Sequence, residues 1–586
     1  MKKKVLSILT FFISLQLFCA AAFASESDTV RVGLFYSGSS SNDALISANL
    51  ENYKDTGSGY YFGYYDQNRD FVQLGQTDEI QISVSQDLNL SIDPEGKYTT
   101  EVIEGASMIG CFHIQLTDAY ESFDAAQADA LVYRDQFGTA FPVYDRGSYY
   151  VRIGNFTKRE DAEAFLAAQA LNGAVNSGTS YTLTVTKTKT NQILFEYDGG
   201  GETFLAIEPR PNGTEKSQTW FKGYRYFGGF EYDRAPELSD GKINVLNVVD
   251  LEDYVKGVIT FEMSASWPKE ALKAQAVCAR TYALNQHKHD NRGFDVCNTT
   301  NCQVYKGTAA SDPNSDAAVD ETAGLEIYYQ GAIIDTPYYS SNGGATENSE
   351  NVWYTKLPYL RGKPDPYEAT ITIPGYAYEK SYTTEELTAL LQRKGHNIGT
   401  VASVTAEYTE MGNMYALTFT DVSGQSVVVK KENCKFLFSV PSMRFTVTGS
   451  DGVSGGAVSP TPPEAQKPTL KEFFVNTKNT ILRTILGVHT ISGSGIRSTV
   501  ETDTAYVITA NGKELLGAPE SVELPAPDSS NSGIGTVTTS GSTYVVRGTG
   551  NGHNVGMSQF GAYAMAKQGL TYEDVLHFYY TDITIE

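Results

Sequence analysis

The sequence predicts an α+β protein, rich in strands, that carries a small βαβ-repeat insert. Three observations predict it. Alternating apolar and polar residues begin at residues 29–36 (TVRVGLFY) and return at about 195–250. Tyrosine, a residue suited to half-buried strands, occurs 38 times. Between the strand-rich stretches the texture changes. Residues 112–131 (FHIQLTDAYESFDAAQADAL) and 149–168 (YYVRIGNFTKREDAEAFLAA) each read as an alternating strand, a polar turn and an amphipathic helix. Ile114-Gln115-Leu116 aligns with Val151-Arg152-Ile153, and Asp124-Ala125 with Asp161-Ala162.

A chain of 586 residues is too long for one core, so several domains are expected. Met1-Lys2-Lys3-Lys4, the apolar run Val5 to Phe18 and Ala22-Phe23-Ala24 have the layout of a signal peptide cleaved before Ser25. No retained membrane anchor is expected. The formal net charge is −24, and losing the three leader lysines takes it to about −27. Such a field repels nucleic acid and anionic headgroups, and it fits a secreted protein of the cell envelope. Beyond the leader five cysteines remain (Cys111, Cys278, Cys297, Cys302 and Cys434), an odd number that excludes a fully paired disulfide scaffold.

Residues 108–190 resemble a SPOR domain, a small α+β module that binds peptide-free glycan; any ferredoxin-like insertion would share the pattern. Residues 451–469, rich in Gly, Ser and Pro, read as a linker. The strand-like stretch 470–540 has no functional reading, and a strongly patterned piece, 541–586, closes the chain.

The most informative stretch is 249–285, VDLEDYVKGVITFEMSASWPKEALKAQAVCARTYALN. Asp250 is expected to cap a short helix through Lys256, with a tight turn at Gly257 and Glu262 on a connecting segment. Ser266 and Pro268 mark the start of the next helix, which aligns Leu272, Ala276, Ala279 and Ala283 on one face. Lys273 and Arg280 share another face, as do Gln275 and Tyr282. CQVYKG (302–307), YYSSNGGATENSENVWYTKLPYL (338–360) and GNGHNVGMSQFGAYAMAKQGLTYEDVLHFYY (550–580) follow in order. Together the four segments resemble the SpoIID/LytB family, over most of 195–450 plus 541–586. The resemblance implies a β-rich catalytic domain with helices around a cleft. Its core would be 191–450, its N-terminal part 25–107, and its C-terminal motif 541–586.

The resemblance makes Glu262 the catalytic acid/base of a peptidoglycan lytic transglycosylase. On chemistry alone, Phe261, Met263 and Trp267 surround it in sequence, and an apolar setting favours a protonated carboxyl. One carboxylate suffices where the muramic acid C6 hydroxyl is the internal nucleophile, giving a 1,6-anhydro product. Gln303, Ser341, His553 and Gln559 are implied to contact sugar. Lys273, Gln275, Arg280 and Tyr282 complete the substrate-binding set as supports, with packing alone the other reading of Tyr282. Glu347 and Glu350 are rival carboxylates, read as surface-loop residues. Cys297 and Cys302 are expected to face each other as a disulfide, ahead of two of four zinc ligands, with His287 and His289 the nearby histidines. No other cofactor is expected. The partners are peptidoglycan glycan strands and, in the competing reading, a wall amidase that the chain assists as a non-catalytic enhancer.

Overall fold

The computed structural model describes residues 29–234, 241–454 and 535–586, together with four short strands between 488 and 515. The expected leader, and the linker from residue 455 on, lie outside the described residues. The four short strands pair as two hairpins, Val488–Ile491 with Arg497–Val500 and Tyr506–Thr509 with Gly512–Leu515. Chain contacts define two compact units. The first takes residues up to Ala265 plus Tyr282–Ala323, and the second takes Ser266–Thr281 and everything from Gly324. The predicted core 191–450 thus contributes to both. Among the described residues no helix is long and apolar enough to cross a membrane.

The first unit is built on two sheets. One contains β1 (Thr29–Phe35), β3 (Gly57–Tyr65), β4 (Phe71–Thr77), β15 (Leu205–Pro211), β18 (Gly229–Asp233), β19 (Asn244–Asp250) and β20 (Val296–Cys297), in the order β20-β1-β19-β18-β15-β3-β4. The other contains ten strands. They are β2 (Ser47–Asn52), β5 (Gln81–Gln86), β9 (Phe112–Leu116), β10 (Ala140–Asp145), β11 (Ser148–Phe156), β12 (Gly173–Asn176), β13 (Leu183–Lys187), β14 (Ile193–Asp198), β16 (Thr219–Phe221) and β17 (Tyr224–Tyr226), in the order β12-β9-β11-β10-β14-β13-β5-β2-β16-β17. Phe62 of β3 stacks on Phe195 of β14 with centroids 5.1 Å apart, so large apolar groups from both sheets share one core.

The repeated segment forms a βαββαβ arrangement. Helix α1 (Phe123–Phe137) follows β9, helix α2 (Arg159–Gln169) follows β11, and the strands lie in the 4-1-3-2 order of a ferredoxin-like unit. Ser122 caps α1 by accepting from the Ala125 N–H, and Gly138 ends it in the left-handed region. Ile114, Leu116, Val151 and Ile153 pack under the helices, with Ala126 and Ala130 of α1 allowing close approach. The unit is continuous with the rest of the ten-stranded sheet, because β10 pairs in parallel with β14.

The strand faces turned away from the helices carry His113, Gln115 and Arg152. Arg152 and His113 are fully buried with Glu196. Arg152 Nη1 donates to Glu196 at 2.7 Å and its Nε to Gln115 at 3.0 Å, while His113 Nε2 lies 3.1 Å from Glu196 and 3.6 Å from Asp87. Burial alone would raise Glu196, but the His113 and Arg152 charges outweigh it and hold the carboxyl at about 2. Burial pulls on His113 in the opposite sense, and the two carboxylates overcome it, raising the imidazole to about 10.

Removing Arg152 would leave His113 as the one cation facing two buried carboxylates, Glu196 and Asp87. Arg152→Met is expected to lower unfolding free energy by about 3–5 kcal/mol in a denaturant titration, the usual scale for breaking a buried ion pair from one side.

The second unit surrounds a core of Leu387, Leu391, Val404, Phe419, Phe438, Val447 and Val546. The chain returns from beyond residue 534 to complete both its larger sheets. Gly535–Ser540 pairs with Val401–Tyr408, and Thr543–Thr549 lies between Ala377–Thr383 and Phe445–Gly449.

Candidate functional site

Asp250 caps helix α3 (Leu251–Glu262), its Oδ1 accepting from the N–H groups of Glu252 at 3.0 Å and Asp253 at 3.2 Å. The helix does not stop before Gly257. It continues to Glu262, so the expected turn at Gly257 and the expected connecting segment are both replaced by helix. The reason is tertiary. A Cβ on Gly257 would lie 2.5 Å from the Tyr305 ring and 2.8 Å from the Gly307 carbonyl, so the glycine serves close packing against the 302–307 segment.

That packing brings the CQVYKG segment onto Glu262. The Val304 N–H donates to Glu262 Oε1 at 3.1 Å, and Glu262 itself is half-buried. Tyr254 Oη donates to Gln303 Oε1 at 2.9 Å, and Tyr305 Oη donates to Asn247 at 2.8 Å. The Lys306 ammonium lies 5.2 Å from the Phe261 ring centroid. Gln303 is 1% exposed, so its amide serves first to lock the segment to α3. Tyr282 is half-buried and takes a hydrogen bond from Lys288 at 3.0 Å.

The other predicted residues lie in the second unit. Helix α4 (Lys269–Leu284) buries Leu272, Ala276 and Ala279, as the sequence pattern required. Gln275 is buried and accepts from Gln559 Nε2 at 3.3 Å, which joins two of the predicted residues. Arg280 is fully buried and donates to the Leu325 carbonyl at 2.9 Å. Lys273 pairs with Glu270 at 3.0 Å, and Glu270 in turn accepts the Tyr572 N–H. His553 is half-buried between Tyr339 and Trp353, with ring centroids 4.9 and 5.1 Å away.

Glu347 and Glu350 are not the surface carboxylates expected. Glu347 is 1% exposed and accepts from Thr409 (2.5 Å), Asn413 (2.9 Å), Asn351 (2.8 Å) and the Asn348 N–H (2.8 Å). Glu350 is held below the usual carboxylate range by its hydrogen bonds to Arg361. Both are committed to structure.

Two carboxylates that sequence reasoning passed over organise the second unit's motifs. Glu368 Oε2 accepts from Ser341 Oγ at 2.8 Å and the Gly343 N–H at 3.1 Å, and its Oε1 accepts from the Asn342 N–H at 2.8 Å and from Ser558 Oγ. One buried carboxylate therefore ties the SSNGG turn to the residue that caps the helix beginning at Gln559. Asp365 accepts from Asn342 Nδ2 and Tyr579 Oη, both at 2.6 Å. The spacing Asp-x-x-Glu just past the 338–360 segment was the available signal. Burial, then the charge of Asp365, raises Glu368 to about 7.

Cys297 and Cys302 face each other, but both are free thiols rather than the disulfide ranked first. His289, not His287, completes the group. Its Nε2 lies 3.4 Å from Cys302 Sγ, and the three donor atoms all lie within 4.8 Å of one another. His289 is buried against Phe294, whereas His287 is exposed and turned to Asp290. The hydrogen bond from Cys302 lowers the Cys297 thiol, and the same bond raises Cys302.

A helix that ends in a half-buried glutamate held by a Cys-Gln-Val-Tyr-Lys-Gly segment defines a recognisable class, and comparison identifies it. A family model described as stage II sporulation protein SpoIID matches residues 239–329. An amidase enhancer of Bacillus subtilis (strain 168) is 31% identical over 333 residues, 56% of this chain and 40% of that protein. An uncharacterized protein of Brachyspira hyodysenteriae is 30% identical over 343 residues, covering 58% and 68%. The stage II sporulation protein D of B. subtilis is 31% identical over 175 residues, covering 27% and 50%. The chain thus spans 40% of the enhancer and half of the sporulation protein. It belongs to the SpoIID/LytB family.

A carboxyl whose pKa rises from 4.5 unfolded to about 7 folded stabilises the fold below pH 4.5, and that contribution is lost as pH climbs to 7. Between pH 5 and 7.5 the melting temperature is expected to fall in the parent and to stay flatter in Glu368→Gln, measured by calorimetry at constant ionic strength.

Proposed function

We propose that the chain acts on bacterial cell-wall glycan as a lytic transglycosylase, with Glu262 as its acid/base. The supporting observation is the placement of Glu262: it ends a capped, largely buried helix, and a backbone N–H from a second family segment holds its orientation. In this reading the protonated carboxyl donates to the leaving oxygen between N-acetylmuramic acid and N-acetylglucosamine. The resulting carboxylate then takes the proton of the muramic C6 hydroxyl as that oxygen closes onto the anomeric carbon. The substrate is the peptide-stripped strand, the setting cell-wall remodelling or sporulation, and the compartment the outside of the membrane. The βαββαβ unit is read as SPOR-like on its strand order.

The second reading, a non-catalytic enhancer of a wall amidase, is favoured by the 333-residue match to an amidase enhancer. Glu262→Gln separates the two. Under the first reading it lowers release of anhydro-muramic product from stripped strands by about a hundredfold or more and leaves strand binding intact. Under the second the parent releases no such product, and stimulation of an amidase survives the substitution.

The thiol pair with His289 offers three of the four donors of a closed zinc site, in which an ion would fix the 289–302 segment, β20 included, against β1. Purified protein is expected to carry about one zinc per chain by elemental analysis, and Cys302→Ser to lose it. An intact-mass deficit of one disulfide without zinc would reinstate the oxidised pair.

A further inference from the structure

The strand register shows where the ten-stranded sheet is open. Residues paired across neighbouring strands share a face, and alternate residues along a strand return to it. Glu196 pairs with Thr184, Thr184 with Ser85, and Ser85 with Ser47. Two residues along, Asn49 pairs with Ser83, then Glu51 with Gln81 and Trp220 with Glu51. One polar face thus runs from the buried His113–Arg152–Glu196 cluster to Trp220. The small sheet β6 (Leu90–Ile92), β7 (Tyr98–Thr99) and β8 (Ser107–Ile109) covers its middle. Tyr98 Oη bonds to Thr186, and Leu90 and Ile109 share a buried cluster with Phe141.

Beyond that cover the face opens into a trough of about 430 Å³, within the range of roughly 300–1,000 Å³ common for ligand sites. Its floor is Asn49, Glu51 and Gln81, and one wall is Trp220, an exposed indole backed by Tyr53 with ring planes 17° apart. Three turns end at its rim with Lys97, Lys189 and Lys222. None of these ammonium groups makes an ion pair among the described residues. The Lys189 stem packs on Gly96, so the turns of Lys97 and Lys189 are held together. Lys189 (φ 64°) and Lys222 (φ 49°) occupy left-handed turn positions, where glycine or asparagine fits at lower cost. Burial, then the charge of Lys97, lowers the Lys222 pKa, so Lys222 lies within reach of the Lys97 charge.

Three lysines at the rim outnumber the two carboxylates, Glu51 and Glu95, that also line the trough, and the excess positive charge suits an anion. An exposed indole beside amide and hydroxyl groups takes the C–H face of a sugar ring, with hydrogen bonds at the ring's edge. We infer that this trough is a glycan-binding site for a carboxylated amino-sugar strand, with Trp220 under a sugar ring and Lys97, Lys189 and Lys222 meeting the muramic carboxylates. The site is distinct from Glu262, which does not line it. The inference rests on the wall-glycan reading above but not on turnover.

The test is equilibrium binding of the full chain, in a Glu262→Gln background so that no strand is cut, to purified peptide-stripped glycan strands. Trp220→Ala and the triple change Lys97→Gln, Lys189→Gln, Lys222→Gln are each expected to weaken binding about tenfold or more with unchanged melting temperature. Trp220→Phe should recover most of the loss. The triple variant should also lose the salt dependence of binding while keeping the parent's weaker affinity for uncharged chitin oligosaccharides. Parent-like affinity in both Trp220→Ala and the triple variant would overturn the site. Tighter binding to a phosphodiester-linked wall polymer than to the strands would overturn its assignment to carboxylates. Because no arm uses catalysis, a chain that never forms anhydro product can still pass, and an active enzyme can still fail.

Discussion

The contact on which the Glu262 region depends is the approach of two backbones at Gly257. Helix α3 and the 302–307 segment come so close that any side chain there would enter the Tyr305 ring or the Gly307 carbonyl. Gly307 repeats the constraint on its other side, where a Cβ would lie 1.9 Å from the Arg225 carbonyl, and its φ of 58° already demands glycine. Two glycines therefore fix a stack of strand hairpin, loop and helix. With that distance set, Tyr254 reaches Gln303, Tyr305 reaches Asn247, and the Val304 N–H meets Glu262. The glutamate is oriented by shape before electrostatics enters.

Local signals were legible, and long-range ones were not. Asp250 as a cap, the apolar stripe of α4 and the doubled strand–helix pattern depend on neighbours within a turn or two, and sequence displays such spacings directly. The extent of α3 was misjudged because a helical glycine ordinarily signals an end, and the contact that makes it useful comes from a segment nearly fifty residues later. Glu347 looked like a loop carboxylate because two of its donors, Thr409 and Asn413, lie 62 and 66 residues away. Glu368 was invisible for the same reason, its Ser558 donor being 190 residues on. The choice of His289 over His287 turned on which ring packs against Phe294, a tertiary fact.

The two units handle buried charge differently. In the first, Glu196 is balanced by a guanidinium and an imidazole and stays charged, while burial and the Glu196 charge push its neighbour Asp87 up to about 6. In the second, Glu368 and Asp365 have hydroxyl, amide and backbone donors, and their mutual repulsion is relieved by a proton. The first keeps the Glu196–His113 pair charged across neutral pH. The second ties the seating of the Ser341 turn to proton activity near neutrality.

The pairing of β10 with β14 decides what cutting the unit away would do. A βαββαβ unit that merely hung from a loop could be lost, moved or duplicated at little cost. Here its last strand in the sheet order is zipped to β14, and Tyr144 lies over Tyr197 across the seam, with ring centroids 5.5 Å apart. Excision would bare two hydrogen-bonding edges at once, the kind of surface that recruits foreign strands. The βαββαβ unit and the strands beside it form one continuous sheet, so they are expected to unfold as a single cooperative block.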